Sequence, residues 1–146
     1  MTERRIYLDA NVFIYAIEGK PDIAALMREL FELFRNRRGI GVTSELSLAE
    51  VLPGAMDAHR RNYLNLILLS RIFNLQPVTR ERLIETADYR KAAGMPKLPD
   101  AIHMVTAIRS GCHQILSADA RLKLPKGYSL IRPDRDSLSN LIQELS

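Results

Sequence analysis

Short apolar runs alternate with longer amphipathic stretches along most of the chain. The short runs are rich in Ile, Val and Leu, and they predict five strands, at residues 5–8, 40–43, 75–79, 114–117 and 129–131. The longer stretches repeat apolar positions at helical spacing, and they predict helices at 11–17, 21–38, 44–52, 60–73, 80–93, 100–109 and 137–145. Pro77 lacks an N–H group, which suggests that the third strand lies at a sheet edge.

Alternation of strands with helices determines the fold class. A parallel neighbour can be reached only by a long crossover, so strands separated by helices favour a parallel sheet covered on both faces. The sequence therefore predicts an α/β fold, a three-layer α/β/α sandwich with a mostly parallel central sheet. In such sheets, ligands bind beyond the carboxyl ends of the strands, and acidic residues placed there become the first candidates for chemistry.

Composition and charge narrow the function classes. The 146 residues are 47% hydrophobic and 26% charged, which is ordinary for a globular protein and predicts one domain over residues 1–146. Cys112 is the one cysteine, which excludes an intramolecular disulfide and a cysteine-based zinc site. No signal peptide or membrane-length apolar run is present, so we expect a soluble, cytoplasmic protein with no membrane partner. The net charge of +4 mildly favours a polyanionic partner.

Four acidic residues lie near predicted element ends. Asp9 follows the first strand and Asp119 follows the fourth, so both belong to the carboxyl edge of the sheet. Asp100 lies in the first turn of an apolar helix. Each of these three also suits a helix cap, a turn or a helix dipole. Glu50 lies in an apolar helical turn and faces either solvent or a polar pocket, and Glu45 competes with it on the same helix.

Convergence of these acids would define a specific chemistry. Carboxylates gathered in one place repel one another, and a hard divalent cation such as Mg²⁺ or Mn²⁺ relieves that repulsion through oxygen ligands. Such a cation activates water and neutralises charge on a phosphoryl oxygen. The predicted reaction is hydrolysis of a phosphodiester.

Four short segments, in this order, resemble a PIN domain and especially the VapC-type toxin ribonucleases of type II toxin–antitoxin systems. They are YLDAN at 7–11, SLAEV at 47–51, LPDAIH at 98–103 and LSAD at 116–119. Each segment is short, but the ordered set covers essentially the whole chain. The chain departs from the family at Ala10, where a hydroxyl residue is common. It departs again at residues 120–123, which are basic where many members have a further acid, leaving no fifth carboxylate for a second metal.

The resemblance implies a PIN-like fold and Mg²⁺- or Mn²⁺-dependent endoribonuclease activity. It implies catalytic and metal-binding roles for Asp9, Glu50, Asp100 and Asp119. It assigns supporting roles to Asn11, through hydrogen bonding, and to Ser117. It also implies a homodimer and a VapB-type protein antitoxin that occludes the site.

Other polar residues have simpler interpretations. His103 lies three residues after Asp100 and could be a ligand or a general base, but hard metals select oxygen, which favours a helix-face histidine without a chemical role. Lys97, Arg121 and Lys123 flank two of the acids in sequence, and they are the candidates for contacts with RNA phosphates.

Two alternatives to a toxin remain open. A PIN domain also suits an RNA-processing nuclease that is not a toxin, or a degenerate binding scaffold, although the intact acid set argues against degeneracy. A phospho-acceptor signalling domain is also α/β and binds Mg²⁺ through carboxylates. Such a domain needs paired acids after its first strand and an acceptor Asp after its third, whereas here the first strand ends in Asp9 alone and residues 75–79 contain no acid.

Overall fold

The computed structural model describes residues 4–37 and 39–146. Residues 1–3 and Arg38 lie outside the described residues. Residues 1–3 begin the segment in which we expect no signal peptide, and Arg38 is the predicted end of the second helix. The strands are β1 (Ile6–Leu8), β2 (Gly41–Ser44), β3 (Asn74–Gln76), β4 (Gln114–Leu116) and β5 (Ser129–Ile131). The α-helices are α1 (Ala10–Glu18), α2 (Pro21–Asn36), α3 (Leu46–Val51), α4 (Asp57–Leu64), α5 (Arg80–Ala92), α6 (Leu98–Arg109) and α7 (Arg135–Leu145).

The five strands form one sheet in the order β3-β2-β1-β4-β5, and every neighbouring pair is parallel. The predicted α/β fold is confirmed, with a sheet that is parallel throughout. β1 lies at the centre, paired with β2 on one side and β4 on the other. β3 lies at one edge, as Pro77 predicts, and the strand ends at Gln76 because proline cannot donate to the ladder.

The predicted helix at 60–73 differs from the structure in both bounds. α4 begins earlier, at Asp57, and the chain then continues as a π-helix (Asn65–Leu69). It stops at Ser70, whose hydroxyl donates to the carbonyl of Leu66 and accepts from the N–H of Ile72. Arg71 then has a left-handed backbone, with φ of 58°, which cannot continue a helix. Apolar residues beyond this turn are buried in the core and therefore extended the helical pattern misleadingly.

Helices cover both faces of the sheet. On one face, Ile6 and Leu8 pack with α1, α2 and α7 in the larger core, where four aromatic rings meet: Phe13, Phe31, Phe34 and Phe73. On the other face, Tyr7 and Ile115 pack against α6 in a smaller core that includes Cys112. Burial raises the pKa of the Cys112 thiol to about 12, as expected for a packed residue. No helix among the described residues combines the length and the apolarity that crossing a membrane requires.

Thr43 connects the end of β1 to the helix that carries Glu50. Its buried hydroxyl donates to the carbonyl of Leu8 at 2.8 Å and lies 2.9 Å from the hydroxyl of Ser47 in α3. Leu8 directly precedes Asp9, so this contact fixes α3 relative to the first predicted site residue. A buried polar group left without such a partner costs free energy.

We expect Thr43→Val to lower the free energy of unfolding by about 1–3 kcal/mol, because it leaves the Ser47 hydroxyl without its buried partner. The matched control is Thr106→Val in α6, whose hydroxyl bonds only to the carbonyl of Ile102 one turn earlier. Urea unfolding of both variants measures the difference. Equal losses in the two variants would contradict the role given to Thr43.

Candidate active site

Asp9 lies at the carboxyl end of the central strand and has two structural tasks. It is the N-cap of α1, where its Oδ1 accepts from the backbone N–H of Ala10 at 2.8 Å. Its Oδ2 accepts from the hydroxyl of Ser117 at 2.7 Å and from Nδ2 of Asn11 at 3.3 Å. The cap and the acidic cluster, which the sequence offers as alternatives, therefore occur together in one side chain.

Asn11 and Ser117 join the ends of β1 and β4. Nδ2 of Asn11 lies 3.3 Å from Oγ of Ser117, and its Oδ1 accepts from the N–H of Ala118 at 3.0 Å. Oγ of Ser117, which is fully buried, also accepts from the N–H of Asp119 at 3.1 Å. The register of the sheet makes this possible, because Leu8 and Leu116 are paired residues at the ends of these strands. The side chains of Asn11 and Ser117 thus hold the backbone around Asp9 and Asp119.

Asp100 lies in the first turn of α6, close enough to the other acids to feel their charge. Burial raises the pKa of its carboxyl above the usual range, and the negative charges of Asp9 and Asp119 raise it further. The neighbouring His103 and Lys97 act in the opposite direction and lower this pKa. The structure therefore brings Asp9, Asp100 and Asp119 to one edge of the sheet, where they repel one another.

Glu50 reaches the cluster through His103. Its Oε1 lies 2.5 Å from Nε2 of His103, and the same nitrogen lies 3.7 Å from Oδ1 of Asp9. Glu45, the competing acid, is exposed at the start of α3. Glu50 is therefore the acid of this helix that contacts the cluster.

His103 is the residue that sequence reasoning missed. It is 5% exposed, and its Nδ1 lies 2.6 Å from the hydroxyl of Tyr7, a fully buried residue of β1. Burial holds the pKa of the Tyr7 hydroxyl well above its usual range, and the charges of Asp9 and Glu50 add to this effect. The sequence favours a helix-face histidine without a chemical role. The structure places its side chain among the acids, and its chemical role stays a prediction. Its spacing of three residues from Asp100 was the available signal.

Two cavities border the cluster. A small one is lined by Asp9, Asp100 and His103 together with apolar side chains. A larger and more open one, of about 430 Å³, borders Asp100 and Asp119. The three predicted RNA-contacting residues, Lys97, Arg121 and Lys123, all line this larger cavity and are exposed. Arg121 also donates its backbone N–H to Oδ1 of Asp119 at 3.0 Å.

The cluster has the donor chemistry for a hard cation, but its side chains are not closed around one. Within residues 4–37 and 39–146, no three His, Cys, Asp or Glu side chains form a group that could hold a metal ion as they stand. Asp9, Asp100 and Asp119 supply the oxygen ligands that Mg²⁺ and Mn²⁺ prefer. Closing them around an ion requires side-chain rotation, for which Glu50 and Asp119 have room, being 32% and 35% exposed.

Comparison with known proteins gives one family and one fold. A model of the PIN domain family matches residues 6–127. The chain resembles a toxin–antitoxin complex from Klebsiella pneumoniae at 20% identity and a TM-score of 0.63, covering 89% of this chain and 98% of that one. The DNA-bound VapBC of Salmonella typhimurium is 21% identical with a TM-score of 0.66, and the match covers 90% of this chain and 100% of that one. FitAcB from Neisseria gonorrhoeae is 17% identical with a TM-score of 0.58, and the match covers 88% of this chain and 97% of that one. At these identities the solved structures establish the fold alone. None of the curated proteins matches the chain.

We expect Asn11→Asp to destabilise the protein, because it replaces a hydrogen-bond donor with a second carboxylate beside Asp9. Repulsion by Asp9 raises the pKa of the introduced carboxyl in the folded state. The loss is therefore complete above that raised pKa, shrinks as the pH falls through it, and is absent below the unfolded pKa of about 3.9. At pH 7 in chelator-treated buffer, we expect the free energy of unfolding to fall by about 1–3 kcal/mol.

Asn62→Asp is the control, since it adds the same charge at an exposed position of α4. Urea unfolding at pH 7 and pH 4 compares the two variants. A loss in Asn11→Asp that matches the control at both pH values would show that Asn11 does not support Asp9.

Proposed function

The chain belongs to the PIN domain family, whose members are nucleases, and on this basis we propose that it is a Mg²⁺- or Mn²⁺-dependent endoribonuclease that acts as the toxin of a toxin–antitoxin pair. The observation that carries the proposal is the acidic cluster at the carboxyl edge of β1 and β4. There, Asp100 is held among acids whose charges raise its pKa. A cluster of this kind is costly to stability and suits a cation-dependent site.

Asp9, Asp100 and Asp119 are the residues that would hold the cation, with Glu50 at the margin of the site. When bound, such an ion supplies activation of water at neutral pH and neutralises negative charge on a phosphodiester. Asn11 and Ser117 keep the Asp9 carboxylate oriented toward the site. Asp9 and Asp119 follow strands of the sheet and Asp100 lies in the first turn of α6, and such rigid elements limit the reorganisation that catalysis has to overcome.

The substrate would approach along the open cavity beside Asp100 and Asp119. Lys97, Arg121 and Lys123 line this cavity and carry the positive charge that attracts and orients an RNA backbone. Arg121 follows Asp119 by two residues, so a phosphate bound there lies close to the acids. An RNA backbone is favoured over a small anion as the ligand, because the cavity is open and its three basic side chains are spread along it.

The proposed toxin role is supported by the solved structures that share this fold. The solved structures with this fold include a toxin–antitoxin complex from Klebsiella pneumoniae and the DNA-bound VapBC of Salmonella typhimurium. By analogy, we propose that this chain forms a homodimer in the cytoplasm and is inhibited by a VapB-type antitoxin. A processing nuclease that is not a toxin would use the same site. A phospho-acceptor domain is not favoured, because β3 and the residues up to Thr79 contain no acceptor acid.

We expect Asp9→Asn to reduce metal-dependent RNA cleavage by more than about a hundredfold, which corresponds to about 2.7 kcal/mol of lost transition-state stabilisation. Asparagine is also a good N-cap, so α1 and the fold should persist. Sequencing of RNA ends, with and without Mn²⁺, measures the cleavage, and growth on induction tests toxicity.

Asp136→Asn, at an exposed position of α7, is the charge-matched control and should cleave normally. Undiminished cleavage by Asp9→Asn would remove the proposed nuclease site. If the unmodified protein cleaves RNA but its induction has no effect on growth, the result would instead favour a processing nuclease.

We expect the double substitution Arg121→Ala and Lys123→Ala to weaken RNA binding and its salt dependence. Each phosphate contact with a single strand contributes about 0.7 to the slope of log affinity against log salt, so the slope should fall by about 1.4. Fluorescence anisotropy in the Asp9→Asn background measures binding without cleavage. Lys20→Ala, at the exposed residue that precedes α2, is the control, and an equal slope change there would contradict a specific path for RNA.

A further inference from the structure

His103 is buried at the centre of the acidic cluster, and its two ring nitrogens face different partners. Nδ1 lies 2.6 Å from the hydroxyl of Tyr7 on the apolar side. Nε2 lies 2.5 Å from Oε1 of Glu50 and 3.7 Å from Oδ1 of Asp9. A histidine beside a metal site is ordinarily a candidate ligand through whichever nitrogen has a free lone pair. The state of Nε2 therefore decides what His103 contributes.

Hydrogen-bond accounting determines that state. A tyrosine hydroxyl has one O–H donor, and that of Tyr7 is fully buried, so it needs an acceptor. The acceptor in reach is Nδ1 of His103. If Nδ1 carried a proton, either as the other neutral tautomer or as imidazolium, the hydroxyl of Tyr7 would lose that acceptor inside the core. Accepting from Tyr7 leaves the ring proton on Nε2.

We propose that Tyr7 fixes His103 in the Nε2–H tautomer, so that His103 is a positioning residue that donates to Glu50 beside Asp9 and is kept from acting as a metal ligand. The consequence for the site, though not the tautomer itself, rests on the proposed function. The Nε2–H group donates to Glu50, while Asp9, at 3.7 Å, lies beyond hydrogen-bond distance. The bond holds Glu50, whose side chain is one third exposed, at the margin of the cluster.

A preference among metals follows from the tautomer. Neutral imidazole nitrogen suits Zn²⁺, Ni²⁺ and Co²⁺, whereas carboxylate oxygen suits Mg²⁺ and Mn²⁺. With its lone pair replaced by a proton, Nε2 offers nothing to Zn²⁺, and the cluster presents oxygen alone. Removal of the Tyr7 hydroxyl would take away the bond that is lost when the ring proton moves to Nδ1, so freeing Nε2 for a metal would cost less. Tyr7 therefore acts on metal choice from outside the site, through His103.

The first experiment measures the tautomer without metal or RNA. Long-range ¹H–¹⁵N correlation spectra of the full chain report the protonation of both nitrogens in each of its three histidines. We expect His103 to show a protonated Nε2 and an unprotonated Nδ1 at neutral pH. A proton on Nδ1, in either the neutral or the charged ring, would overturn the proposal. This result does not depend on whether the protein cleaves RNA.

The second experiment measures metal choice by calorimetry with Mn²⁺ alone and Zn²⁺ alone. We expect Tyr7→Phe to raise the affinity for Zn²⁺ relative to Mn²⁺ by about tenfold, the lower end of the usual effect of an outer hydrogen-bond partner. Tyr128→Phe is the matched control, because Tyr128 stacks on His113 through its ring. The gain should vanish when Tyr7→Phe is combined with His103→Ala. An unchanged ratio in folded Tyr7→Phe would contradict the role of Tyr7.

Conservative replacement of His103 tests its positioning role. The amide nitrogen of His103→Gln can take the place of Nε2 and donate to Glu50, whereas His103→Ala offers no donor. We expect Gln to retain Mn²⁺ affinity within a few fold and Ala to lose about tenfold. Equal loss in both variants would show that the ring only fills space. If all variants behave as expected but no RNA is cleaved, the proposed function fails and the tautomer assignment stands.

Discussion

Mutual repulsion among carboxylates is the constraint around which this protein is built. Asp9, Asp100 and Asp119 come from distant parts of the chain, and burial together with the charges of Asp9 and Asp119 raises the pKa of Asp100. Hydrogen bonds to the carboxylate of Asp9 offset part of the cost of this repulsion. Their donors are the hydroxyl of Ser117, the amide of Asn11 and the backbone N–H of Ala10. Two helices, α1 and α6, begin at the cluster, and their positive dipole ends favour negative charge there.

The order of the strands explains why these groups can meet. β1 is central and parallel to both neighbours, so its carboxyl end lies beside those of β2 and β4. Asp9 extends from β1, and the loop with Ser117 and Asp119 extends from β4. Thr43 of β2 joins the same region to α3, which brings Glu50 toward it. The site therefore has few degrees of freedom of its own, because its backbone is held by the sheet.

Local patterns were sufficient for the fold class, for most element bounds to within two residues and for the positions of Asp9 and Asp119, because strand ends and caps are encoded within a few residues. They were insufficient for His103. Its surroundings depend on Tyr7, 96 positions away, and on Glu50, 53 positions away, and no periodicity links them. The predicted helix at 60–73 had the wrong bounds for a related reason. Ile72 and Phe73 extend the apolar pattern but are buried by the tertiary core rather than by a helix.

The pairing of β1 with β4 also affects when activity can arise during synthesis. Asp9 leaves the ribosome early, but Ser117, its hydroxyl donor, lies 108 residues later. Contacts this distant in sequence form late, and a nascent chain lacking β4 has neither the loop that orients Asp9 nor Asp119. A growing polypeptide thus carries an incomplete cluster until Ser117 and Asp119 have been translated. The acidic cluster is therefore complete only after the chain as far as Asp119 has left the ribosome and β4 has paired with β1.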